Sequence, residues 1–361
     1  MIYYLIFLLL TCFSFFEVYY KEERHVEILI FFSVTTTALV LFSGFRLIGF
    51  DYDNYHLIFD TVNLSNYTEN TIEIGFAFFI EIFHFLNLPF NFFLFFIALV
   101  SVGIKALFIK DFSPYYFLSL LVYYTVNFLL SDMGQIRHGL AMSIVILSFY
   151  DIFNKNKNGF FTKVFIAYLF HSSAIIVFPA YFIANIKKIT IWHLIVPVAA
   201  FLPLLFIDIK GVFVPLAAYL PAQIQSKIAY YTTSEEFGQQ LGFGLTMVFR
   251  LIIIAVMYFC YDDGIKQIKF YKQFFLLYIY GTLLFMAFNS IAEMALRFSN
   301  YFKILEFIIL PMLVTLGRTL IEKHIIIAII ILYTGWSLYK LLFDLYTSIE
   351  YLPYRNLLLG N

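Results

Sequence analysis

An all-α, polytopic transmembrane helix bundle is what this sequence predicts, and three observations predict it. The chain is 62% hydrophobic and only 13% charged, where a soluble domain carries about 25% charge to keep its surface wetted. Its mean hydropathy is +0.88. Its apolar residues are gathered into blocks of roughly 17–23, the length at which a helix crosses about 30 Å of hydrocarbon. Together these describe one integral membrane domain over residues 1–361, built of roughly 10–12 helices.

The first block, residues 2–19, has no basic residue ahead of it and no cleavage site of small residues, so it reads as a retained helix. Further blocks run over 28–44, 72–86, 91–109, 115–131, 139–153, 160–185, 190–208, 241–261, 271–289, 298–316 and 324–345. Cytoplasmic loops carry an excess of Lys and Arg. That rule marks Lys155, Lys157 and Lys163, then Lys187 and Lys188, then Lys266, Lys269 and Lys272, then Arg318 and Lys323. The opposite face receives residues 45–71, 131–138, 209–240, 289–297 and the tail after 345.

With 45–71 and 131–138 both outside, the three blocks between them cannot all span. The block 72–86 is the shortest and carries Glu73, Glu81 and His84. It is therefore expected as a re-entrant or short helix packed against protein. The block 160–185, with Lys on both flanks, reads either as one long tilted helix or as two half-length helices turning at His171, Ser172 and Ser173.

Twenty-three basic residues balance 23 acidic ones, so there is no basic face for nucleic acid. Cys12 and Cys260 lie in apolar blocks outside any metal-ligand spacing and read as packing residues. No metal and no cofactor are expected. The 28 tyrosines and 48 phenylalanines are expected mostly at the lipid surface and in interfacial belts.

Charged side chains in or at the edge of a membrane need a reason, and they cluster. Arg46 leads into Gly49-Phe50-Asp51-Tyr52-Asp53-Asn54-Tyr55 where the second helix leaves the bilayer. Arg46 offers a planar fork of donors suited to phosphate oxygens; Asp51 can orient it, ligate a metal or take a proton. An interfacial arginine beside a solvated acidic turn is the plainer alternative. Gln135 and Arg137 open the helix after an outside loop, where unpaired N–H groups and an arginine form an anion site or an interfacial anchor. His171 stands in an apolar stretch, either as a packing residue or as a ring that desolvation keeps neutral and able to accept a proton. Glu293 and Arg297 are spaced to pair along one helix face, which Tyr301 shares. Arg250, deep in its block, either pairs with a buried acid or binds substrate.

Several of these residues fall in segments that resemble the EpsG-like group of Wzy polysaccharide polymerases. The resemblance lies in Arg46 with Gly49-Phe50-Asp51-Tyr52 and Tyr55, in Glu73-Ile74-Gly75-Phe76, in Gln135-Ile136-Arg137 with Gly139-Leu140-Ala141, and in Ala167-Tyr168-Leu169-Phe170-His171-Ser172-Ser173-Ala174. Arg297 and Tyr301 fit a looser late motif, and His138 stands where many members have Gln. The resemblance runs from about residue 40 to 305. It implies an inverting glycosyl transfer at the periplasmic face of the bacterial inner membrane. An oligosaccharide would move from one undecaprenyl pyrophosphate onto a second lipid-linked repeat unit. The implied partners are that lipid-linked oligosaccharide, the bilayer and a chain-length regulator protein.

On this reading the base is His171, Asp51 or Glu73. Arg46, Arg137, Arg250, Arg297, Gln135, Tyr52, Tyr55 and Tyr301 bind pyrophosphate or sugar. Two other classes stay open. One is a membrane glycosyltransferase using a polyprenyl-phosphate sugar donor, with Asp51-Tyr52-Asp53 as its metal or base motif. The other is a lipid-linked oligosaccharide flippase or transporter.

Overall fold

Hydrocarbon offers no water to backbone N–H and C=O groups, so an apolar chain satisfies them inside helices. The computed structural model describes residues 2–208, 210–211, 215, 218–219, 225, 229–230, 232 and 239–360, and the described residues contain helices and no strand. Among the described residues, five helices are long and apolar enough to cross a membrane: Ile2–Tyr20, His25–Gly44, Phe90–Phe112, Ile136–Phe153 and Leu320–Phe343. The number reaches 7 if two broken pairs each count as one span, Leu245–Phe259 with Tyr261–Gln267 and Ala292–Lys303 with Glu306–Thr315. The chain is therefore an all-helical, polytopic one. Several of the expected uniform spans are instead shorter helical pieces, because Pro, Gly and polar residues interrupt the apolar runs.

Two compact units divide the chain. The first comprises Met1–Tyr150, Phe165–Ser172 and Glu306–Asn361. In it α1 (Ile2–Tyr20) packs on α6 (Tyr116–Tyr123), and α2 (His25–Gly44) packs on α5 (Phe90–Phe112). The expected outside loop 45–71 contains a helix of its own, α3 (Tyr52–Thr61), followed by α4 (Ile74–Phe85). With 12 residues, α4 is only about 18 Å long, so it is the short helix expected near 72–86. Its buried side holds Phe76, Ala77, Ile80 and Phe83, while Phe85 is 84% exposed.

The block that begins at Tyr116 continues from α6 into a π-helix, Tyr124–Asp132, before α7 (Ile136–Phe153). The π winding was not foreseen. The stretch after α7 settles the second ambiguity: α8 (Lys157–Phe170) stops at His171, and a 3₁₀ turn, Ser172–Val177, leads to α9 (Ala180–Ala184). The helix breaks where the half-length reading placed the turn.

Phenylalanine also builds the first unit's core. Phe93 of α5 is fully buried and packs on Phe59, Phe76 and Phe83 at ring separations of 5.2, 5.5 and 5.3 Å. Edge-to-face pairs of this kind add about 0.5–1.5 kcal/mol each beyond area burial. The slab also takes in Tyr55, Ile136 and Leu140, so it fixes α3, α4 and the start of α7 against α5.

The second unit comprises Asp151–Val164 and Ser173–Leu305. It includes α10 (Trp192–Phe201), α11 (Leu245–Phe259), α12 (Tyr261–Gln267), α13 (Tyr271–Ala287) and α14 (Ala292–Lys303). Its centre is α13, which packs against α9, α10, α11 and α14. Gly281 of α13 lets α14 approach, since a Cβ there would lie 2.4 Å from Phe302 Cβ. The expected outside loop 209–240 lies mostly outside the described residues. Back in the first unit, α15 (Glu306–Thr315), α16 (Leu320–Phe343) and α17 (Leu345–Tyr351) are the last α-helices among the described residues. Cys12 is exposed on α1 rather than packed, and Cys260 is half-buried; both are free thiols.

One buried acid has a purely architectural place. Glu17 of α1 accepts from the backbone N–H groups of Tyr116 at 2.6 Å and Phe117 at 2.8 Å. It thereby caps the N-terminus of α6, which has no side-chain cap of its own. Glu17→Ala should lower stability by about 1–3 kcal/mol through loss of these charge-assisted bonds. Glu17→Gln, which keeps one acceptor, should lose less. Unfolding midpoints of the purified protein in detergent would check both.

Candidate functional site

The carboxylate of Glu73 organises the first unit's polar centre. Glu73 stands just before α4 in an extended conformation, which aims its side chain away from the helix. One oxygen, Oε2, accepts from Arg137 Nη1 of α7 at 2.8 Å. The other, Oε1, accepts from the backbone N–H of Ser172 at 3.2 Å and its hydroxyl at 3.1 Å. Gly75 makes this reach possible: a Cβ there would lie 2.6 Å from the Leu169 carbonyl oxygen, so only glycine lets α4 and α8 touch.

Arg137 lies over two rings, its Cζ 5.9 Å from the centroid of Tyr55 and 6.0 Å from that of Phe76. The Tyr55 phenol is hydrogen-bonded to Arg137, and burial raises its pKa above the ordinary tyrosine value. His138 and His171, both buried, meet edge to face with ring centroids 5.1 Å apart. Gln135 sits at the entrance of α7, its carbonyl accepting from Gly139 N–H at 2.9 Å. Thus Tyr55, Glu73, Arg137, His171 and their neighbours, spread over more than a hundred residues of sequence, converge on one place.

Arg46 belongs to the same region, since Tyr55 lies within electrostatic reach of both arginines. It is 1% exposed. Its Nη1 donates to the Ser43 carbonyl at 2.6 Å, near the C-terminus of α2, where a cation is favoured. Nε and Nη2 are buried with no hydrogen-bond partner among the described residues. Burial lowers its pKa to about 10, which leaves a cation at neutral pH. Gly49, at φ 127°, lets the loop turn tightly over it; a Cβ there would lie 2.6 Å from the Met133 carbonyl and 3.1 Å from Arg46 Nε.

A strap from the far end of the chain covers this arginine. Leu47 N–H donates to the Arg355 carbonyl at 3.0 Å, and Leu357 N–H donates to Phe45 at 2.9 Å. Tyr351 and Tyr354 donate to the carbonyls of Leu129 and Phe42, each at 2.8 Å. Asp51 precedes α3 in a left-handed conformation at φ 62°, and Tyr52 is half-buried beside Arg46. Burial, and then the nearby charges of Asp51 and Asp53, raise the pKa of Glu350 above the ordinary carboxylate value.

The remaining predicted residues belong to the second unit. Arg250 of α11 is 1% exposed, donates through Nη2 to Ser299 Oγ at 2.9 Å, and lies over the Phe285 ring at 4.8 Å. No buried acid pairs with it among the described residues, and its Nε and Nη1 are buried without a partner there. Arg297 pairs with Glu293, as their spacing predicted. The Tyr301 hydroxyl is 2.9 Å from that of Ser173. A buried donor left unmet costs about 1–3 kcal/mol, more when charged, so Arg46 and Arg250 each carry an uncompensated desolvation cost among the described residues. Arg137 and Arg297 already face carboxylates.

His138, Ser172 and the strap residues Tyr351, Tyr354 and Asn356 were not singled out from the sequence as site residues. His138 was signalled only by adjacency to Arg137, and Ser172 by adjacency to His171. The strap had no signal, since it acts largely through its backbone.

The Glu73–Arg137 pair is partly buried, with side-chain exposures of 9% and 20%. Removing one partner from such a pair leaves an uncompensated charge. Glu73→Gln and Arg137→Gln should each destabilise the protein, and the double variant should be less destabilised than the sum by about 1–3 kcal/mol. A double-mutant cycle on thermal unfolding measures that coupling.

Comparison with known proteins gives a family. The family model described as the EpsG family matches residues 28–356. The amylovoran biosynthesis protein AmsC of Erwinia amylovora is 24% identical over 329 residues, covering 83% of this chain and 84% of that protein. No solved structure matches. The four motifs that converge on Glu73 and Arg46 all lie inside the matched span, and the chain belongs to the EpsG family.

Proposed function

We propose that this protein is a polysaccharide polymerase of exopolysaccharide biosynthesis. In this reading it moves an oligosaccharide chain from undecaprenyl pyrophosphate onto a second lipid-linked repeat unit, with inversion, at the periplasmic face. Membership of the EpsG family and the similarity to AmsC support the polymerase reading. The observation that carries it is chemical: a histidine and a carboxylate in the same region as buried arginine donors that meet no acceptor among the described residues, in a chain rich in apolar helices.

The transfer joins an acceptor hydroxyl to the anomeric carbon while the bond from that carbon to the pyrophosphate oxygen breaks. The hydroxyl proton passes to His171 as general base. Glu73 holds Arg137 on one oxygen and the residue after His171 on the other, which orients both. Arg137 and the unmet donors of Arg46 stabilise the departing pyrophosphate, whose charge develops in the transition state. Tyr52, Tyr55 and Gln135 face the sugar. In the second unit Arg250 and Arg297 are anion-binding residues, and Tyr301 shares the polar helix α14 with Arg297. Asp51 takes the proton only if His171 does not.

Reconstitution with labelled lipid-linked repeat units tests the reading. Lengthened glycan chains are expected; movement of lipid without lengthening would indicate a flippase, and activity abolished by EDTA would indicate a metal-dependent glycosyltransferase. His171→Gln, which keeps a hydrogen-bonding side chain of similar reach, should bind lipid-linked substrate and lose transfer. Arg137→Lys and Arg297→Lys should each raise the barrier by about 2–4 kcal/mol, roughly 30- to 1,000-fold in rate, because a point charge replaces a two-pronged donor. Wild-type rates in both lysine variants would reduce these arginines to anchors.

The site's sidedness is tested separately. Three segments assigned outside by the Lys distribution meet one another in the first unit: Gly134 lies close to Phe50 and to the Tyr351 hydroxyl. Tags after residues 61 and 225 should be reached from the periplasm and a tag at 157 should not. Cytoplasmic labelling at 61 would overturn the orientation.

A further inference from the structure

Lys105 in α5 and Asp132 at the end of the π-helix have side chains that are 0% exposed. Two charges stripped of water cost more to bury than their attraction returns, unless their remaining hydrogens and lone pairs are also met. Here they are met. Lys105 Nζ donates to Asp132 Oδ1 at 2.6 Å, to Ser101 Oγ at 3.0 Å and to the Gly139 carbonyl at 3.2 Å, which uses all three of its hydrogens. Asp132 Oδ1 also accepts from Ser101, and Oδ2 accepts from the Tyr123 hydroxyl at 2.7 Å. The Asp132 carbonyl accepts from Ser43 Oγ of α2 at 2.8 Å.

The network sits where helix winding changes. π-helices are rare and concentrate at functional sites, and this one runs for 9 residues. Its bonding to the fifth residue back continues into the turn, from Met133 N–H to Phe128 at 3.0 Å and from Gln135 N–H to Leu130 at 2.9 Å. The first turn of α7 is then pressed onto the last turn of the π-helix. A Cβ on Gly139 would lie 2.6 Å from the Ser131 carbonyl and 3.2 Å from Asp132 Oδ1. Arg137 and His138 stand on that pressed turn.

We propose that the Lys105–Asp132 pair is a positioning device that holds the first turn of α7, and with it Arg137 and His138, in the geometry the transfer needs. The inference rests on the polymerase reading of the site. A buried ion pair adds little net stability over apolar side chains of similar volume, and its best-attested use is to set register. The pair touches no residue of the proposed reaction directly; it acts through the backbone of residues 132–139. Misplacing a reacting group by about 1 Å costs on the order of 100-fold in rate.

Lys105→Met combined with Asp132→Leu replaces the pair by apolar residues and leaves no charge unpaired. The purified variant should unfold at or above the wild-type temperature, lose at least about 10-fold in kcat, and change little in KM. Hydrogen–deuterium exchange should rise in residues 133–140 and stay unchanged in 116–123. A folded double variant with wild-type kcat and wild-type exchange at 133–140 would overturn the proposal. So would a kcat loss accompanied by raised exchange throughout the chain.

If the double variant does not fold, Tyr123→Phe removes the one phenol bond to Asp132, Ser101→Ala removes the hydroxyl that bonds Lys105, Asp132 and Ser143, and both spare the ion pair. Each should then raise exchange at 133–140, and no change in either overturns the proposal. If wild-type protein lengthens no chains in the same assay, the polymerase reading fails, while the exchange comparison still decides the clamp.

Discussion

Everything in the first unit's polar centre depends on one carboxylate serving two partners. Glu73 binds Arg137 across 64 residues and Ser172 across 99, so it joins the start of α4, the start of α7 and the break after α8. An exposed ion pair is worth little, with a median of about 0–1 kcal/mol. This pair is sheltered by a slab of phenylalanines and backed by two further hydrogen bonds, and its value is mainly geometric. It decides where an arginine and the segment beginning at His171 stand relative to one another. The aromatic slab around Phe93 supplies the rigidity that lets a single carboxylate do so.

How much of this could be read from residues alone varies with the kind of physics involved. Long apolar helices were legible, because an 18- to 24-residue hydrophobic run has few alternatives. The shortness of α4 followed from Glu73, Glu81 and His84 in its block. The break at His171 followed from lysines on both flanks. The π-helix at Tyr124–Asp132 was not legible, since its winding is selected by distant partners, among them the bonds that reach Asp132 from α5 and α2. Lys105 did carry a signal as a charge within an apolar block, but Asp132 fell in the segment 131–138 assigned outside, neither sits in a motif, and 27 residues separate them. Which phenylalanines would enter the core was not legible, because the same residue type suits lipid and core equally well.

The arginines show what sequence could and could not rank. Arg46, Arg137, Arg250 and Arg297 look alike as isolated cations in an apolar chain. Geometry separates them into two kinds. Arg137 and Arg297 face acids, so their charge is balanced and their orientation set. Arg46 and Arg250 are almost fully buried with donors unmet among the described residues. Arg137 also keeps one buried donor, Nε, without a partner there, and these differences depend on contacts rather than composition.

The strap over Arg46 has a consequence for biogenesis. The carbonyl of Phe42 accepts from Asn356 Nδ2, 314 positions later in the chain. Chains are made from the N-terminus, so α2 and the arginine at its end exist before Tyr351, Tyr354 and Asn356 do, and enclosure of Arg46 waits for that segment.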